Sequence, residues 1–335
     1  MRIRFNAVLA AALLFAFALV LPAQAAKPLK VYILVGQSNM QGHARVTTID
    51  YIGEDPKTKH LHKLMVGNDG QPVTADRVWV ADITGRGDNN GVTTGKLTTG
   101  FGARSNPTQT ADKIGPEYAF GLVMQEAYDG PILIIKAAWG GKSLHIDYRS
   151  PSSGTYVMNQ GEIAKATKQG KDVKQLAAEK AEKSGHYYRL MMDHVKTTLA
   201  DPSKVVPGYD KEAGYEIDGF VWFQGFNDLV FGDVYPNRNE PGGYNDYSKW
   251  MGMFIKDVRK DLEQPKMPFV IGVLGVGGPD DPNAKNQSKK HFRQAMALPA
   301  KHMDGVFAVD TAVYWDMNLD AIDKKRGKLW SKLAR

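Results

Sequence analysis

The feature that most constrains the fold of this chain is a series of short apolar runs separated by helical patterns. Runs with the character of buried strands occupy residues 31–35, 132–137, 219–223, 269–276 and, more briefly, 305–309. Apolar residues at consecutive positions are typical of strands covered on both faces of a parallel sheet. Strands that alternate with helices build βαβ units. The sequence therefore predicts an α/β fold, a three-layer α/β/α sandwich with a central parallel sheet.

Helical patterns lie between these runs, at residues 117–128, 187–199 and 247–262. The first follows Pro116, which suits the first turn of a helix. Two long segments, residues 47–106 and 147–185, are polar and show little apolar periodicity. We predict that both are insertions over the edge of the sheet. Long loops of this kind often form part of a binding site.

The first 25 residues have the pattern of an export signal. Arg2 and Arg4 supply the positive start, residues 7–20 are apolar, and residues 23–25 (AQA) form a small-x-small cleavage site. The apolar stretch is too short for a comfortable membrane span. We therefore expect residues 26–335 to form a single exported domain, periplasmic or secreted, that has no membrane contact after the signal is removed.

The composition excludes several classes of function. The chain has no cysteine, which excludes thiol chemistry and thiolate metal sites. Its net charge of +7 is mild for 335 residues, and the basic excess lies partly in residues 165–183 and 324–335. Such lysine-rich runs are usually solvated faces. The sequence has no basic stripe with interleaved aromatic residues, so no nucleic-acid partner is predicted. The mild positive charge is compatible with a modest preference for acidic polysaccharide, and the sequence does not determine the oligomeric state.

Small and polar residues follow each of the first three predicted strands. These three blocks are residues 36–40 (GQSNM), 139–143 (WGGKS) and 224–228 (QGFND). In open α/β sheets, ligands bind beyond the carboxyl ends of the strands. We therefore expect the three blocks to meet at one site.

The three blocks hold the residue types that acyl transfer needs. A serine oxygen attacks a carbonyl, and fixed N–H donors stabilise the charge that develops on its oxygen. Ser38 can supply the attacking oxygen, although a serine at this position can also be a simple helix cap. Gly140 and Gly141 allow the backbone to approach a ligand closely. Asn227 can supply a side-chain N–H group.

The three blocks resemble the first three blocks of the SGNH hydrolases. More closely, the chain resembles the sialate O-acetylesterase-type domain, which is related to carbohydrate esterase family six. The resemblance extends from about residue 30 to residue 316, and residues 115–117 (GPE) and 309–312 (VDTA) also fit it. It implies a flavodoxin-like SGNH fold and an exported serine esterase that removes acetyl groups from a sugar or polysaccharide. It implies no metal and no organic cofactor.

The resemblance also implies roles for individual residues. Ser38 would be the nucleophile, and its backbone N–H, a backbone N–H of Gly140 or Gly141, and the side chain of Asn227 would form the oxyanion hole. We predict that neighbouring residues of the three blocks contact the substrate, namely Gln37, Asn39, Gln224 and Lys142. The chain departs from related carbohydrate esterases at Phe226, where those proteins often carry glutamate, so no acid is expected there.

The catalytic base of the family is not evident in this sequence. The family supplies it from an Asp-x-x-His block near the C-terminus, and none of the eight histidines here follows such an aspartate. One explanation is that the chain ends before that block. Another is that His43, His145 or His291 serves instead, because triads are defined by geometry and not by chain order. The third is that the protein is a non-catalytic carbohydrate-binding protein on the same fold.

Aromatic residues near the strand ends are candidates for stacking on sugar rings. They are Trp139, Trp222, Tyr314 and Trp315. Trp222 lies inside an apolar run, where a core position is at least as good an interpretation.

Overall fold

The computed structural model describes residues 27–87 and 89–333, so the predicted export signal lies outside the described residues. In these ranges the strands are β1 (Leu29–Gly36), β2 (Ala44–Arg45), β3 (Val78–Arg86), β4 (Asn89–Lys96), β5 (Lys113–Ile114), β6 (Ile132–Ala138), β7 (Tyr215–Phe223), β8 (Phe269–Val273) and β9 (Val306–Asp310). The α-helices are α1 (Ser38–Gln41), α2 (Thr48–Glu54), α3 (Lys59–Met65), α4 (Pro116–Ala127), α5 (Gln160–Lys168), α6 (Val173–Lys183), α7 (His186–Ala200), α8 (Phe226–Val230), α9 (Asn245–Asp261), α10 (Ser288–Ala297) and α11 (Met317–Leu333).

One seven-stranded sheet forms the middle layer, in the order β4-β3-β6-β1-β7-β8-β9. Its neighbouring strands pair in parallel, except that β4 runs antiparallel to β3 at one edge. Strands β2 and β5 form a separate antiparallel pair. The predicted α/β fold with a central parallel sheet is therefore confirmed, with one antiparallel edge strand that was not predicted.

Strand β1 lies at the centre of the sheet and is buried on both faces. Val31, Ile33 and Val35 belong to a core cluster that includes residues of α7, α9 and α10. Tyr32 and Leu34 point to the opposite face and belong to a second cluster with residues of α2, α3 and α4. Each fully buried side chain of this size contributes about 1.5–3 kcal/mol. This two-sided burial explains why the run is apolar at every position.

The predicted core elements match the structure closely. The helical patterns correspond to α4, α7 and α9, and the five apolar runs correspond to β1, β6, β7, β8 and β9. The fourth run is too long by three residues, because β8 ends at Val273. The chain then turns towards Thr311, and Gly275 packs so closely there that an added Cβ would lie 2.4 Å from the Thr311 carbonyl oxygen.

The prediction that residues 47–106 are only an insertion is wrong, because this segment supplies two strands of the central sheet. Strand β3 pairs in parallel with β6, and β4 covers its outer edge. Polar residues interrupt the apolar pattern of β3, so the sequence does not predict this strand. Asp82 is buried but paired with Arg104, and Thr84 is buried but donates a hydrogen bond to the Ala138 carbonyl at 2.9 Å. Such partners lower the cost of burying polar groups, although Asp82 Oδ1 has no hydrogen-bond partner in the described structure.

Residues 147–185 do form a satellite beside the sheet. Helices α5 and α6 pack around a small cluster of their own, made by Tyr156, Met158 and Ala166. Among the residues that the structure describes, no helix has both the length and the apolar character needed to cross a membrane.

Candidate active site

The three sequence blocks meet at the carboxyl ends of three neighbouring strands of the central sheet, β6, β1 and β7. Gly36 at the end of β1 is paired in register with Ala138 of β6 on one side and with Phe223 of β7 on the other. The chain leaves all three strands at the same level, so the blocks start side by side. Gly36 is needed for this approach, because a Cβ there would lie 2.2 Å from the Phe223 carbonyl oxygen.

Ser38 is the first residue of the short helix α1. The turn is closed by hydrogen bonds from the Gln41 N–H to the Gln37 carbonyl at 2.7 Å and from the Gly42 N–H to the Ser38 carbonyl at 2.9 Å. Met40 is buried beneath it. The Ser38 side chain is half-buried, and its hydroxyl forms no hydrogen bond with any described residue. The hydroxyl is therefore available to a substrate.

The second block lies directly beside this hydroxyl. A Cβ on Gly140 would lie 3.4 Å from Ser38 Oγ and 3.2 Å from Gln41 Oε1. Gly141 has a φ of +77°, a conformation that favours glycine. The backbone N–H groups of Ser38, Gly140 and Gly141 donate no hydrogen bond to other described residues. They are free to donate to an oxyanion.

Gln37 joins the first block to the third. Its Nε2 donates to Asn227 Oδ1 at 2.9 Å, and its Oε1 accepts from the backbone N–H groups of Gly225 and Asn227 at 3.1 and 3.3 Å. Because the Asn227 oxygen is occupied, the amide is held in one orientation. Its Nδ2 has no partner among the described residues. Its role as an oxyanion donor stays a prediction.

Asp228 connects the second and third blocks, and sequence reasoning missed this role. It is fully buried and accepts hydrogen bonds from the Leu144 N–H at 2.7 Å, Gln224 Nε2 at 2.7 Å and the Tyr235 hydroxyl at 2.9 Å. It also lies 2.9 Å from His145 Nδ1. Burial alone would raise the pKa of Asp228, but the hydrogen bonds and the charge of the neighbouring His145 outweigh it and lower this pKa below its usual range.

The four predicted substrate contacts occupy different positions. Asn39 is exposed, and Lys142 is half-buried with its Nζ 4.2 Å from the centre of the Tyr187 ring. Gln37 is buried, and its amide orients Asn227 as described above. Gln224 is 1% exposed and donates to the Lys142 carbonyl at 3.0 Å. Contact with a substrate stays a prediction for all four, while Gln37 and Gln224 already join the three blocks to one another.

The three candidate histidines lie in different environments. His43 lines the same cavity as Ser38. Partial burial and the positive charge of Lys113 lower the pKa of His43, so its ring is neutral at pH 7. His145 is buried against Asp228, and His291 lies on α10 beside Gln294. In the described structure no histidine is hydrogen-bonded to Ser38.

Two cavities open on either side of Ser38. The first, here called the basic cavity, has a volume of about 850 Å³ and is lined by residues that include Arg86, Lys113 and Lys142. Asp112 is the single acidic residue among its described lining residues. The cavity therefore has a positive character beside the candidate nucleophile.

The second, here called the aromatic cavity, has a volume of about 500 Å³ and is lined by Phe226, Tyr314 and Trp315, among others. Tyr314 is 77% exposed and Trp315 is 36% exposed, so both rings are accessible. Of the other candidates for sugar stacking, Trp139 and Trp222 are buried in the core and are not accessible. Among the described residues, no group of three or more His, Asp or Glu side chains is placed to hold a metal ion.

One protein family matches most of the chain, and two solved structures are similar to it at low sequence identity. The model of the family described as carbohydrate esterase, sialic acid-specific acetylesterase, matches residues 28–319. A protein of known structure from Arabidopsis thaliana is 18% identical, with a TM-score of 0.43 over 84% of this chain and 85% of that chain. A carbohydrate acetylesterase from Xanthomonas citri is 13% identical, with a TM-score of 0.44 over 84% of this chain and 49% of that chain. No curated protein sequence matches the chain.

Proposed function

Because the chain belongs to the sialic acid-specific acetylesterase family of carbohydrate esterases, we propose that it removes acetyl groups from a carbohydrate by a serine-hydrolase mechanism. One observation carries this proposal. The unbonded hydroxyl of Ser38 lies beside Gly140, and the backbone N–H groups of Ser38, Gly140 and Gly141 have no partner in the described structure. Fixed donors around a serine are the arrangement that acyl transfer requires.

In the proposed reaction, Ser38 Oγ attacks the carbonyl carbon of the acetyl ester. The negative charge that develops on the carbonyl oxygen is stabilised by the N–H groups of Ser38 and of Gly140 or Gly141, and by Asn227 Nδ2. The sugar oxygen then takes a proton and leaves, and water releases acetate from the acyl-enzyme. Losing one oxyanion donor in such a site typically lowers the rate by about 100-fold or more.

The attack also needs a group that accepts the Ser38 proton. Of the three candidate histidines, His43 shares a cavity with Ser38, and its lowered pKa keeps the ring neutral and able to accept a proton at pH 7. His145 pairs through Nδ1 with Asp228, as the histidine of a triad does, but it is 3% exposed and lines neither cavity beside Ser38. We therefore propose to test His43 first as the base.

The two cavities support a substrate that combines a sugar ring with a negative charge. Tyr314 and Trp315 offer exposed faces on which a sugar ring can stack. Arg86, Lys113 and Lys142 line the other side of Ser38, and a carboxylate can pair with such groups. A carboxylated sugar such as sialic acid, which the family description names, fits both features.

We further propose that the protein acts outside the cytoplasm. The support is the pattern of residues 1–25, which has the charged start, apolar stretch and small-x-small site of an export signal. The test is N-terminal sequencing of the protein recovered from an expressing bacterial host. A mature chain that begins at Ala26 supports export, and a chain that keeps residues 1–25 contradicts it.

The proposed activity is tested by measuring acetate release from an aryl acetate and from O-acetylated sialic acid, with Ser38→Ala as the matched variant. We expect release by the wild-type protein and none above background by the variant. Undiminished release by Ser38→Ala would mean that the nucleophile is another residue. Binding of the sugar by both proteins without release would instead support a carbohydrate-binding protein, which the unbonded state of the Ser38 hydroxyl also permits.

A further inference from the structure

We propose that a buried charged cluster beneath the nucleophile, formed by Lys136 and Glu117 together with Asp82 and Arg104, positions the short helix that carries Ser38. Lys136 and Glu117 are the central pair, and neither touches the proposed substrate site. They are therefore positioning residues, which act on the reaction through the backbone of α1. This inference rests on the proposed function for its catalytic consequence.

The central pair is fully buried. Lys136 lies on β6 in the middle of the sheet, and its Nζ is 2.6 Å from Glu117 Oε2. Arg104 Nη1 donates to Asp82 Oδ2 at 2.7 Å, and Lys136 Nζ lies 3.9 Å from the same oxygen. The cluster therefore contains two positive and two negative groups, which balance each other inside the protein.

The cluster is attached to the nucleophile turn at its C-terminal end. Lys136 Nζ donates to the Gln41 carbonyl at 3.1 Å and to the Phe101 carbonyl at 2.8 Å. A helix of four residues cannot satisfy its last carbonyls internally. The Gln41 carbonyl is therefore held by the lysine, which in turn is held by Glu117 on α4.

A second set of contacts fixes the same turn from its sides. Gln41 Nε2 donates to Thr84 Oγ1 at 2.8 Å, and the Ala103 N–H donates to the Gly42 carbonyl at 2.6 Å. Glu117 Oε1 accepts from the Gly115 N–H at 2.9 Å, and Gly115 packs against Gly42. Three elements and one loop thus converge on residues 38–42, and among the described residues Lys136 is the single side chain that bonds both the turn and α4.

A role in stability alone explains this cluster poorly. Desolvation of buried charges is costly, and apolar residues of similar volume often give equal or greater stability. A central strand such as β6 would accept an apolar residue at position 136, since its other positions are apolar or small. The feature that an apolar side chain cannot reproduce is the pair of directed hydrogen bonds from Lys136 to the Gln41 and Phe101 carbonyls.

The test uses the double variant Lys136→Met/Glu117→Gln. Each single change would leave a buried partner uncompensated, which is strongly destabilising. The double variant keeps the volume of both side chains. It also keeps a side-chain oxygen at position 117 that can accept from the Gly115 N–H, but it removes the bonds to the Gln41 and Phe101 carbonyls. The matched control is Arg259→Met, which removes a buried cation that donates to the backbone carbonyls of Met267 and Asp304 and lines neither cavity beside Ser38.

Two measurements separate positioning from stability. The first is the hydrolysis of an aryl acetate, expressed per folded molecule. We expect kcat of the double variant to fall by about 10- to 100-fold with KM within about threefold, because a displacement of about 1 Å at a reacting group has effects of this size. We expect no such fall in Arg259→Met. The second is amide hydrogen exchange over residues 37–42, which should become faster in the double variant and stay unchanged in the control.

The second measurement does not depend on activity. If the wild-type protein releases no acetate, the proposed function fails, and hydrogen exchange alone decides the positioning role. Unchanged exchange over residues 37–42 in the double variant would overturn the inference. So would an unchanged kcat per folded molecule in an active protein, or a change confined to KM.

Discussion

Replacement of Asp228 by asparagine is the sharpest test of how the three blocks are held together. Asp228 is fully buried, and its two oxygens accept hydrogen bonds from Gln224 of the third block, from Leu144 directly after the second block and from Tyr235. Asparagine keeps the shape of the side chain but removes its charge and replaces one acceptor oxygen by an NH₂ group. Some of the groups that now donate to Asp228 would then face this NH₂ group, which cannot accept a hydrogen bond.

The structure gives the size of the effect. If the NH₂ group replaces Oδ2, the Leu144 N–H and Gln224 Nε2 both lose their acceptor, which they now reach at 2.7 Å. If it replaces Oδ1, the His145 backbone N–H loses its acceptor at 3.2 Å, while the His145 ring and the Tyr235 hydroxyl can rearrange. A buried donor without a partner costs about 1–3 kcal/mol. We therefore expect Asp228→Asn to lower the free energy of unfolding by about 2–4 kcal/mol.

The assay is equilibrium urea unfolding, followed by circular dichroism at pH 7. The control is Asp233→Asn, because Asp233 forms an exposed ion pair with Lys165 that is expected to contribute less than about 1 kcal/mol. A loss below about 1 kcal/mol in Asp228→Asn, with an unchanged m-value, would refute the reasoning.

The pH dependence of this variant follows from the lowered pKa of Asp228. A carboxyl group whose pKa is lower in the folded than in the unfolded protein contributes stability above its unfolded pKa, about 3.9. That contribution is lost as the pH falls through the folded pKa. The difference in unfolding free energy between the wild type and Asp228→Asn should therefore be largest above about pH 4 and should shrink at lower pH.

Three further predictions concern the candidate site. Gly140→Ala should lower kcat for an aryl acetate by about 100-fold with little change in the unfolding midpoint, because the new methyl group would lie 3.4 Å from Ser38 Oγ. An unchanged kcat would mean that the substrate binds elsewhere. Trp315→Ala should raise KM for an acetylated sugar by about tenfold while leaving KM for an aryl acetate nearly unchanged, because stacking of the ring on a sugar contributes about 1 kcal/mol or more. An equal effect on both substrates would contradict the proposal that a sugar ring stacks on Trp315. His43→Ala should lower kcat by about 100-fold or more, whereas His291→Ala should not, and the reverse pattern would exclude His43 as the base.

The core of this fold could be predicted from the sequence because its strands are apolar at consecutive positions. Strand β3 could not, since Asp82 and Thr84 interrupt its pattern and their partners lie elsewhere in the chain. Strand β6, by contrast, was predicted although it contains the charged residue Lys136. Lys136 lies within an otherwise apolar run, and nothing nearby in the sequence reveals that Glu117 neutralises it.

The candidate site was predictable in outline but not in its internal bonding. The positions of Ser38 and Gly140 follow from where the strands end, because neighbouring parallel strands end side by side. The role of Asp228 depends on the backbone N–H of Leu144 and on the hydroxyl of Tyr235, which lie outside its own block, so that block gives no sign of it. Gln37 was predicted to contact the substrate, and the structure shows that its amide already orients Asn227.

The central claim is that the Ser38 oxygen reacts with an acyl carbon held by the three blocks. The most direct measurement is peptide mass spectrometry of the protein after treatment with a fluorophosphonate, which forms a stable adduct with an activated serine. We predict one adduct, on the peptide that contains Ser38, and none in Ser38→Ala. An adduct on another residue, or an unmodified Ser38 in a protein that still releases acetate, would contradict the account.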